Sequence, residues 1–356
     1  MKLIGDLALT GLFTKDTSYN SRRIADIKTV LNNKHIATLC NLECPIYVEN
    51  CINKNKNFIH TSDKTTTQQI LKALNISCVS LANNHIYDCT MPGLKATIDV
   101  LDEIGVLHTG AGWKKEHITP VIFTEENKKV AFMAYVDHST NPKTEGYEKE
   151  LFINFLEVDK IISDINSVKQ KVDEIVISLH WGTDYSFFPT PKQREVAKTI
   201  IDAGASIIMG HHPHTIQPYE KYKNGVIFYS LGGLTFGDFM KNGELTALFK
   251  KTKRGLIARY NLNSETTQFI GTKELKGNYI RITKFNYKKW SEKYWRKYHK
   301  RQSSKLYFKW TQFQEKIIDR TYEYFFGYYK SPIKRLFQFK NLTKIKRLFT
   351  DYKQSN

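Results

Sequence analysis

The sequence has no uninterrupted apolar run that approaches the roughly 18 residues of a membrane-spanning helix. Its mean hydropathy of −0.46 agrees with this absence. Met1 leads into a short apolar segment, without the charged stretch, long apolar core and cleavage site of a secretory signal. We therefore expect no transmembrane helix, no signal peptide and a cytosolic protein. The apolar fraction of 41% excludes wholesale disorder.

Cysteine is also scarce, and its five residues form neither an even set nor a CxxC pair. This argues against a disulfide framework and against a structural zinc site, and free thiols fit a reducing compartment. We interpret all five as small apolar side chains of the core. They are Cys40, Cys44, Cys51, Cys78 and Cys89.

Acidic residues are few relative to basic ones, but only in one part of the chain. The sequence has 54 Lys and Arg against 35 Asp and Glu, a net charge of +19. Residues 276–356 carry +17 of this charge and 21 of the 46 aromatic residues, whereas residues 1–275 carry only +2. We therefore predict a nearly neutral domain over 1–275 that carries the chemistry, and a basic aromatic extension over 276–356 that serves attachment.

Short apolar runs alternate with helical patterns along the first domain. The runs are rich in Val and Ile and too short for isolated helices, so they predict strands. The last predicted strand, Leu256–Leu262, is expected to complete the sheet. This alternation predicts an α/β fold in which helices cover a largely buried sheet. The predicted strands are Lys2–Leu9, Ile36–Leu42, Cys78–Ala82, Val130–Val136, Ile175–Leu179, Ser206–Met209, Val226–Leu231 and Leu256–Leu262. The predicted helices are 20–33, 64–74, 92–104, 155–171 and 191–203.

Metal-competent or acid–base side chains stand at or after the ends of five predicted strands. Ligands of open α/β sheets bind at the carboxyl ends of strands, and a charged group there is costly unless it is paired or coordinated. Carboxylate and imidazole together suit Mn, Fe or Zn, and two ions that share a carboxylate can bind a phosphate and activate water. The side chains are Asp6, Glu43, Asn83, Asn84, His85, His180, His211, His212 and His214.

The combination of these motifs resembles the bacterial CapA family of capsule and poly-γ-glutamate biosynthesis proteins, in the calcineurin-like metallophosphoesterase superfamily. The resemblance covers about residues 1–250 and does not include the extension. It implies a metallophosphoesterase-like two-sheet β-sandwich flanked by helices, with metal ions at the strand ends. The motifs are Gly5-Asp6, Asn41-Leu42-Glu43, Ala82-Asn83-Asn84-His85, His180-Trp181-Gly182 and Gly210-His211-His212-Pro213-His214.

The resemblance also implies a role for individual residues. Asp6 and His214 are implied ligands of a first divalent ion, Glu43 is the implied bridging carboxylate, and Asn84, His180 and His212 are implied ligands of a second ion. His85 is the implied imidazole that protonates a leaving oxygen or stabilises developing charge. The residues expected to line the substrate pocket are Asn83, His211, Trp181 and Tyr185.

Three positions depart from the superfamily pattern. Ala8 stands where a histidine usually follows the first aspartate, Glu43 replaces an aspartate, and Gly233 replaces a frequent asparagine. The first two leave the first ion with fewer ligands, so one or two ions are expected.

The extension mixes Lys and Arg with Trp and Tyr, for example at Tyr294–Tyr298. Its later segments Ile333–Phe337 and Ile345–Phe349 have the spacing of a basic amphipathic helix on an anionic membrane surface, which we favour. Basic aromatic segments also bind nucleic acid, but no RNA-binding or helix-turn-helix signature accompanies them. In a third interpretation, the extension packs onto the domain or onto a partner as ordinary helices.

Two functions are consistent with the sequence. The first is a metal-dependent hydrolase of a phosphoester or related bond, which acts on an anionic small-molecule, lipid-linked or polymer substrate at the inner face of the cell membrane. The second is a non-catalytic metal-binding accessory protein of a polymer synthesis complex, which the alanine at position 8 favours. A nucleic-acid phosphodiesterase is disfavoured, because the nearly neutral domain offers no basic groove.

Overall fold

The computed structural model describes residues 1–56, 58–142, 144, 150–236, 239–241, 244–246 and 252–303. In this part of the chain two β-sheets pack face to face, and helices cover the outer surface of each sheet. The predicted α/β two-sheet sandwich flanked by helices is therefore confirmed.

The described ranges contain eight α-helices and eighteen strands, and fourteen of the strands form the two large sheets. The helices are α1 (Leu12–Lys15), α2 (Asn20–Arg23), α3 (Ala25–Leu31), α4 (Lys64–Ala73), α5 (Thr90–Glu103), α6 (Val158–Val168), α7 (Pro191–Ala203) and α8 (Tyr287–Ser303). The strands are β1 (Lys2–Leu7), β2 (Thr38–Leu42), β3 (Cys78–Ser80), β4 (Leu107–Thr109), β5 (Ala111–Gly112), β6 (Val121–Glu125), β7 (Lys128–Val136), β8 (Phe152–Ile153), β9 (Glu174–His180), β10 (Ile207–His211), β11 (Tyr219–Tyr222), β12 (Gly225–Phe228), β13 (Gly233–Thr235), β14 (Phe239–Lys241), β15 (Glu244–Thr246), β16 (Arg254–Asn261), β17 (Thr266–Glu274) and β18 (Ile280–Thr283).

The first sheet has the strand order β18-β17-β16-β1-β2-β3-β4, and β13 pairs with β1. Strands β1 to β4 are parallel, whereas β16, β17 and β18 are antiparallel. The expectation that the run at Leu256–Leu262 completes the sheet is wrong, because β17 and β18 follow it. These strands escaped prediction because Thr, Gln, Lys and Arg occupy many of their positions, as they can where one face of a strand is wet.

The second sheet has the order β11-β12-β10-β9-β7-β6. Its four inner strands are parallel, and the edge strands β11 and β6 are antiparallel to their neighbours. Within both sheets, each set of parallel strands therefore presents its carboxyl ends at one edge.

Alternation along the strands divides the apolar side chains between layers. On β7, Val130 and Phe132 enter the core between the two sheets, whereas Ala131 and Met133 face the core beneath α6 and α7. A third core lies between the first sheet and the helices α1 to α5. Each fully buried Phe, Leu or Ile contributes about 1.5–3 kcal/mol, so these cores dominate the stability of the sandwich. The cysteines are free, and all but the half-buried Cys51 are buried.

Helix boundaries follow local capping chemistry. The predicted helix at 20–33 is two helices, because Ile24 adopts φ −101° and ψ 3° between them. Helix α7 has the predicted bounds: it begins at Pro191 with a capping box between Thr190 and Gln193, and Gly204 ends it at φ 125°.

Helix α8, from the basic aromatic region, packs against the second sheet. Tyr287 is buried and its hydroxyl donates to the Gln217 carbonyl at 2.7 Å, while Trp295 Nε1 donates to the Tyr219 carbonyl at 2.7 Å. None of the helices in the described ranges is long and apolar enough to cross a bilayer. The division at residues 275 and 276 stays a prediction, and the segments at 333–337 and 345–349 lie outside the described residues.

Candidate active site

The polar residues at the carboxyl ends of the parallel strands meet at one edge of the sandwich. Asp6 lies near the end of β1, and Glu43 directly follows β2. His180 ends β9 and is paired in register with His211, which ends β10. The structure thus brings together side chains that are separated by up to 208 residues in sequence.

Asp6 is the centre of a buried hydrogen-bond cluster. Its Oδ1 lies 3.0 Å from His211 Nδ1 and accepts a hydrogen bond from Asn41 Nδ2 at 2.9 Å. Its Oδ2 lies 2.9 Å from His214 Nδ1. Burial alone raises the pKa of this carboxyl, but hydrogen bonds with His211 and His214 outweigh it and hold the pKa well below its usual range. Asp6 is therefore an ionised carboxylate.

Glu43 provides a carboxylate oxygen that lacks a hydrogen bond. The Oε1 atom lies 3.7 Å from both His180 Nε2 and His214 Nε2, and it accepts no hydrogen bond from any described residue. Burial and the charge of Asp6 raise the pKa of Glu43 well above its usual value. A buried carboxylate in this position is costly unless a cation coordinates it. The gaps of 3.7 Å leave room for a cation beside the oxygen.

His180, which lies beside this oxygen, also contacts Asn84 and His212. Asn84 Oδ1 is 3.0 Å from His180 Nε2, and the rings of His180 and His212 are 4.9 Å apart. Burial lowers the pKa of both imidazoles and so favours the neutral form that binds metals. Two carboxylates, one amide and neutral imidazoles fit a divalent Mn, Fe or Zn ion. One group of potential metal ligands combines Asp6, Glu43 and His214, and another combines Asp184, His212 and His214.

The backbone of two of these candidate ligands is strained. His212 and His214 adopt φ values of 90° and 53°, which non-glycine residues rarely do and which cost about 1–3 kcal/mol each. Gly5 precedes Asp6 where the chain passes Gly232, and a Cβ at position 5 would lie 1.8 Å from the Gly232 carbonyl oxygen. Only glycine lets β1 and the segment before β13 approach so closely.

His85 belongs to a second polar group beside the ligands. Its Nδ1 is 2.7 Å from Asp88 Oδ2, and Asp88 also contacts the Lys56 ammonium and accepts a hydrogen bond from the His60 amide. Burial and the nearby Lys56 charge lower the pKa of His85. Phe236 links the two groups: its ring lies 4.0 Å from that of His214 and 4.9 Å from that of His60.

The four residues expected to line the pocket have different surroundings. Asn83 is buried and its amide donates to Asn41 Oδ1 and to the Leu42 carbonyl, whereas His211 is buried against Asp6. The Tyr185 ring lies 6.4 Å from that of His214. The structure does not bring Trp181 into the cluster: it lies in the core beneath α7, and its Nε1 donates to the Tyr229 carbonyl.

Four residues near the site were not among the candidates. Asn41 bridges Asp6 and Glu43, and Asp88, Lys56 and His60 surround the far side of His85. Asn41 stands in the motif Asn41-Leu42-Glu43, and Asp88 follows His85 by three residues. Both positions could have indicated a role near the site. Lys56 and His60 come from the segment between β2 and α4, whose path the sequence does not indicate.

The chain is similar to proteins of bacterial capsule synthesis. A family model described as "Bacterial capsule synthesis protein PGA_cap" matches residues 1–238. The capsule biosynthesis protein CapA of Bacillus anthracis is 29% identical over 283 residues, which cover 76% of this chain and 65% of that protein. The PGA biosynthesis protein CapA of Bacillus subtilis (strain 168) is 30% identical over 237 residues, which cover 64% and 58%. The chain thus spans less than two thirds of the length of these two relatives.

Among solved structures, the calcineurin-like phosphoesterase YfkN from Bacillus subtilis superimposes with a TM-score of 0.41 at 13% identity. The match covers 80% of this chain and 88% of that one.

Proposed function

The chain belongs to the bacterial capsule synthesis protein PGA_cap family, and on this basis we propose that it is a metal-dependent hydrolase in the production of capsule polysaccharide or poly-γ-glutamate. The bond it cleaves is a phosphoester or a related bond. Its substrate is an anionic small molecule, a lipid-linked intermediate or the polymer itself. The reaction takes place at the inner face of the cell membrane.

The observation that carries this proposal is the unpartnered Oε1 atom of Glu43. It is buried between His180 Nε2 and His214 Nε2, at 3.7 Å from each, and accepts no hydrogen bond from the described residues. A buried carboxylate oxygen without a hydrogen bond destabilises the folded protein, but it is suited to coordinate a cation. Together with the neutral imidazoles of His180 and His212, it supports one or two divalent ions, with Mn, Fe and Zn preferred.

The residues of the site have different roles in this proposal. Asp6, Glu43, Asn84, His180, His212 and His214 would hold the ions, which when bound supply Lewis-acid stabilisation of phosphoryl oxygens and activation of water. Asn41 keeps Asp6 and Glu43 in place through one shared amide group. His85 is oriented by Asp88 through Nδ1, and in its doubly protonated form it would donate the proton of the opposite ring nitrogen to the leaving oxygen.

The test is an assay of the purified chain with Mn²⁺ on a phosphomonoester, a phosphodiester and lipid-linked sugar phosphates. Asn84→Ala and His212→Ala should abolish turnover, whereas His35→Ala, which removes an exposed imidazole, should not. Full activity of either of the first two variants would refute the assignment of the ligands.

The non-catalytic accessory function is the second candidate, and the alanine at position 8 favours it. Ala8 is buried and contributes no ligand, so Asp6, Glu43 and His214 are the protein groups left for the first ion. Elemental analysis and hydrolysis assays on the same preparation separate the two functions. An accessory protein would hold a metal or none, and would turn over none of the substrates.

A further inference from the structure

Asp184 is an acidic residue at the mouth of the site that the family-based ligand set does not include. It follows β9 by four residues, and its carboxyl is about half exposed. Its Oδ1 lies 3.5 Å from His212 Nε2, and ligand atoms of Asp184, His212 and His214 all lie within 4.8 Å of one another. A distance of 3.5 Å is long for a hydrogen bond. It fits two atoms bound to one ion at about 2.0–2.2 Å each.

The turn that carries Asp184 is fixed to the segment of the two histidines. The Tyr185 amide donates to the Pro213 carbonyl at 2.9 Å. The Ser186 carbonyl accepts hydrogen bonds from Thr215 Oγ1 and Gln217 Nε2. Tyr185 itself adopts φ 64°, the left-handed region that non-glycine residues usually avoid. These hydrogen bonds hold Asp184 beside His212.

Among the described residues, the carboxylate of Asp184 forms no hydrogen bond and no ion pair with Lys or Arg. The ionisable groups near it are the imidazoles of His212 and His214 and, by an electrostatic interaction, the carboxyl of Glu43. His212 is 4% exposed, and its buried Nδ1 has no hydrogen-bond partner among the described residues. Asp184 Oδ1 faces the other ring nitrogen, Nε2, at 3.5 Å, so this pair of atoms is available for a cation.

We propose that Asp184 is a metal ligand and that, with His212 and His214, it holds a divalent cation at the solvent side of the site. One carboxylate and two imidazoles select Mn²⁺, Fe²⁺ or Zn²⁺ over Ca²⁺ or Mg²⁺. This inference deepens the proposed function, on which it rests for the use of metal ions. Because Asp184 is the half-exposed member of the group, it also provides the path by which the cation reaches the buried ligands.

The test measures metal binding directly, without an activity assay. The full chain is stripped with a chelator and titrated with Mn²⁺ by equilibrium dialysis, as wild type, Asp184→Asn, Asp184→Glu and Asp159→Asn. Asp184→Asn keeps the size of the side chain but removes its charge, and it should weaken Mn²⁺ binding at least about tenfold. Asp184→Glu should recover most of this loss. Asp159→Asn, an exposed acid on α6, should bind like wild type.

Absorption of the Co²⁺-loaded proteins separates a ligand from a residue that only orients His212. Loss of a ligand should shift the Co²⁺ ligand-field bands of Asp184→Asn, and an unshifted spectrum would overturn the proposal. An Asp184→Asn isotherm that superimposes on that of wild type would also overturn it. A wild-type chain that binds no Mn²⁺ would instead refute the proposed function, together with this inference.

Discussion

His85 and Asp88 form a buried pair, in which His85 Nδ1 lies 2.7 Å from Asp88 Oδ2. The carboxylate fixes the ring orientation and the protonated nitrogen of His85, so that the opposite nitrogen is available for proton transfer. Asp88 is held in turn by the Lys56 ammonium and by the His60 amide. These contacts orient the ring of His85, which in the proposed function acts as the acid–base group.

Asp88→Asn should therefore lower kcat roughly 100-fold, at the low end of what an acid–base residue contributes, with little change in KM. The loss should be greatest for substrates with a poor leaving group and smallest for p-nitrophenyl esters, since good leaving groups need less protonation. The measurement is steady-state kinetics on both substrate types, with His85→Ala as reference and Tm as a control for folding. An equal loss on both substrates would contradict a role in proton transfer.

Glu43→Gln should separate stability from metal binding. In the chelator-treated protein, the variant should be at least as stable as wild type, because it removes a buried carboxylate beside the charge of Asp6. Added Mn²⁺ should raise the Tm of wild type by mass action but not that of the variant. Thermal unfolding with and without Mn²⁺ checks both expectations. A Mn²⁺-dependent gain that is the same in both proteins would rule out Glu43 as a ligand.

Much of the fold was predictable because its central strands are buried on both faces. Val130–Val136 is a continuous apolar run and Ile175–Leu179 is apolar except for Ser178; the structure places the first within β7 and the second within β9. Edge strands such as β11, with the sequence Tyr219-Glu220-Lys221-Tyr222, carry no such signal because they are half exposed. Their pairing is decided by neighbours that come from other parts of the chain.

Part of the candidate site was also predictable, because many of its residues stand at the ends of predicted strands. Trp181 shows the limit of that reasoning: it follows His180 directly, but successive side chains alternate in direction, so His180 enters the cluster and Trp181 enters the core beneath α7. Asp184 and Lys56 reach the site through loops. Their positions depend on contacts such as that of the Tyr185 amide with the Pro213 carbonyl, which no local pattern indicates.

Glu220 should stabilise the second sheet in a pH-dependent manner. It accepts two hydrogen bonds from Arg194, at 2.8 and 3.1 Å, and one from the Tyr229 hydroxyl at 2.9 Å. Burial opposes its charged form, but the hydrogen bonds with Arg194 and Tyr229 outweigh it and lower the pKa below 4.5. The contribution is therefore fully present above pH 4.5, and it is lost as the pH falls through the lower folded-state pKa.

Glu220→Gln should accordingly lower the free energy of unfolding by about 1–2 kcal/mol at pH 7, a value reduced from that of a fully buried charged hydrogen bond because the site is half-buried. The difference from wild type should shrink below pH 4.5. Urea denaturation across pH 3–7 measures it, with the exposed Glu195→Gln on α7 as control. A difference that stays constant over this range would show that the charge of Glu220 does not matter.

Tyr287 should anchor α8 to the second sheet. Its hydroxyl is buried and donates to the Gln217 carbonyl at 2.7 Å, so Tyr287→Phe leaves a buried acceptor without this donor. The expected loss is about 1–3 kcal/mol of unfolding free energy. Lys288→Ala, at the exposed neighbouring position, should change stability by less than about 0.5 kcal/mol. Equal stability of Tyr287→Phe and wild type would mean that α8 is not part of the cooperative unit.

The sequence predicts attachment to an anionic membrane. Such attachment requires basic residues that do not pack against the domain. On α8 the aromatic face is occupied by the second sheet, whereas Lys288, Lys289, Lys293 and Arg296 are exposed. Each basic residue near an anionic bilayer contributes about 1 kcal/mol, and salt screens this attraction. The full chain should therefore sediment with vesicles that contain phosphatidylglycerol, remain in solution with phosphatidylcholine alone, and be released at high salt. Equal binding to both kinds of vesicle would exclude this mode of attachment. If added RNA, but not high salt, released the protein from the vesicles, and nuclease treatment of the RNA prevented that release, nucleic acid would be the favoured partner.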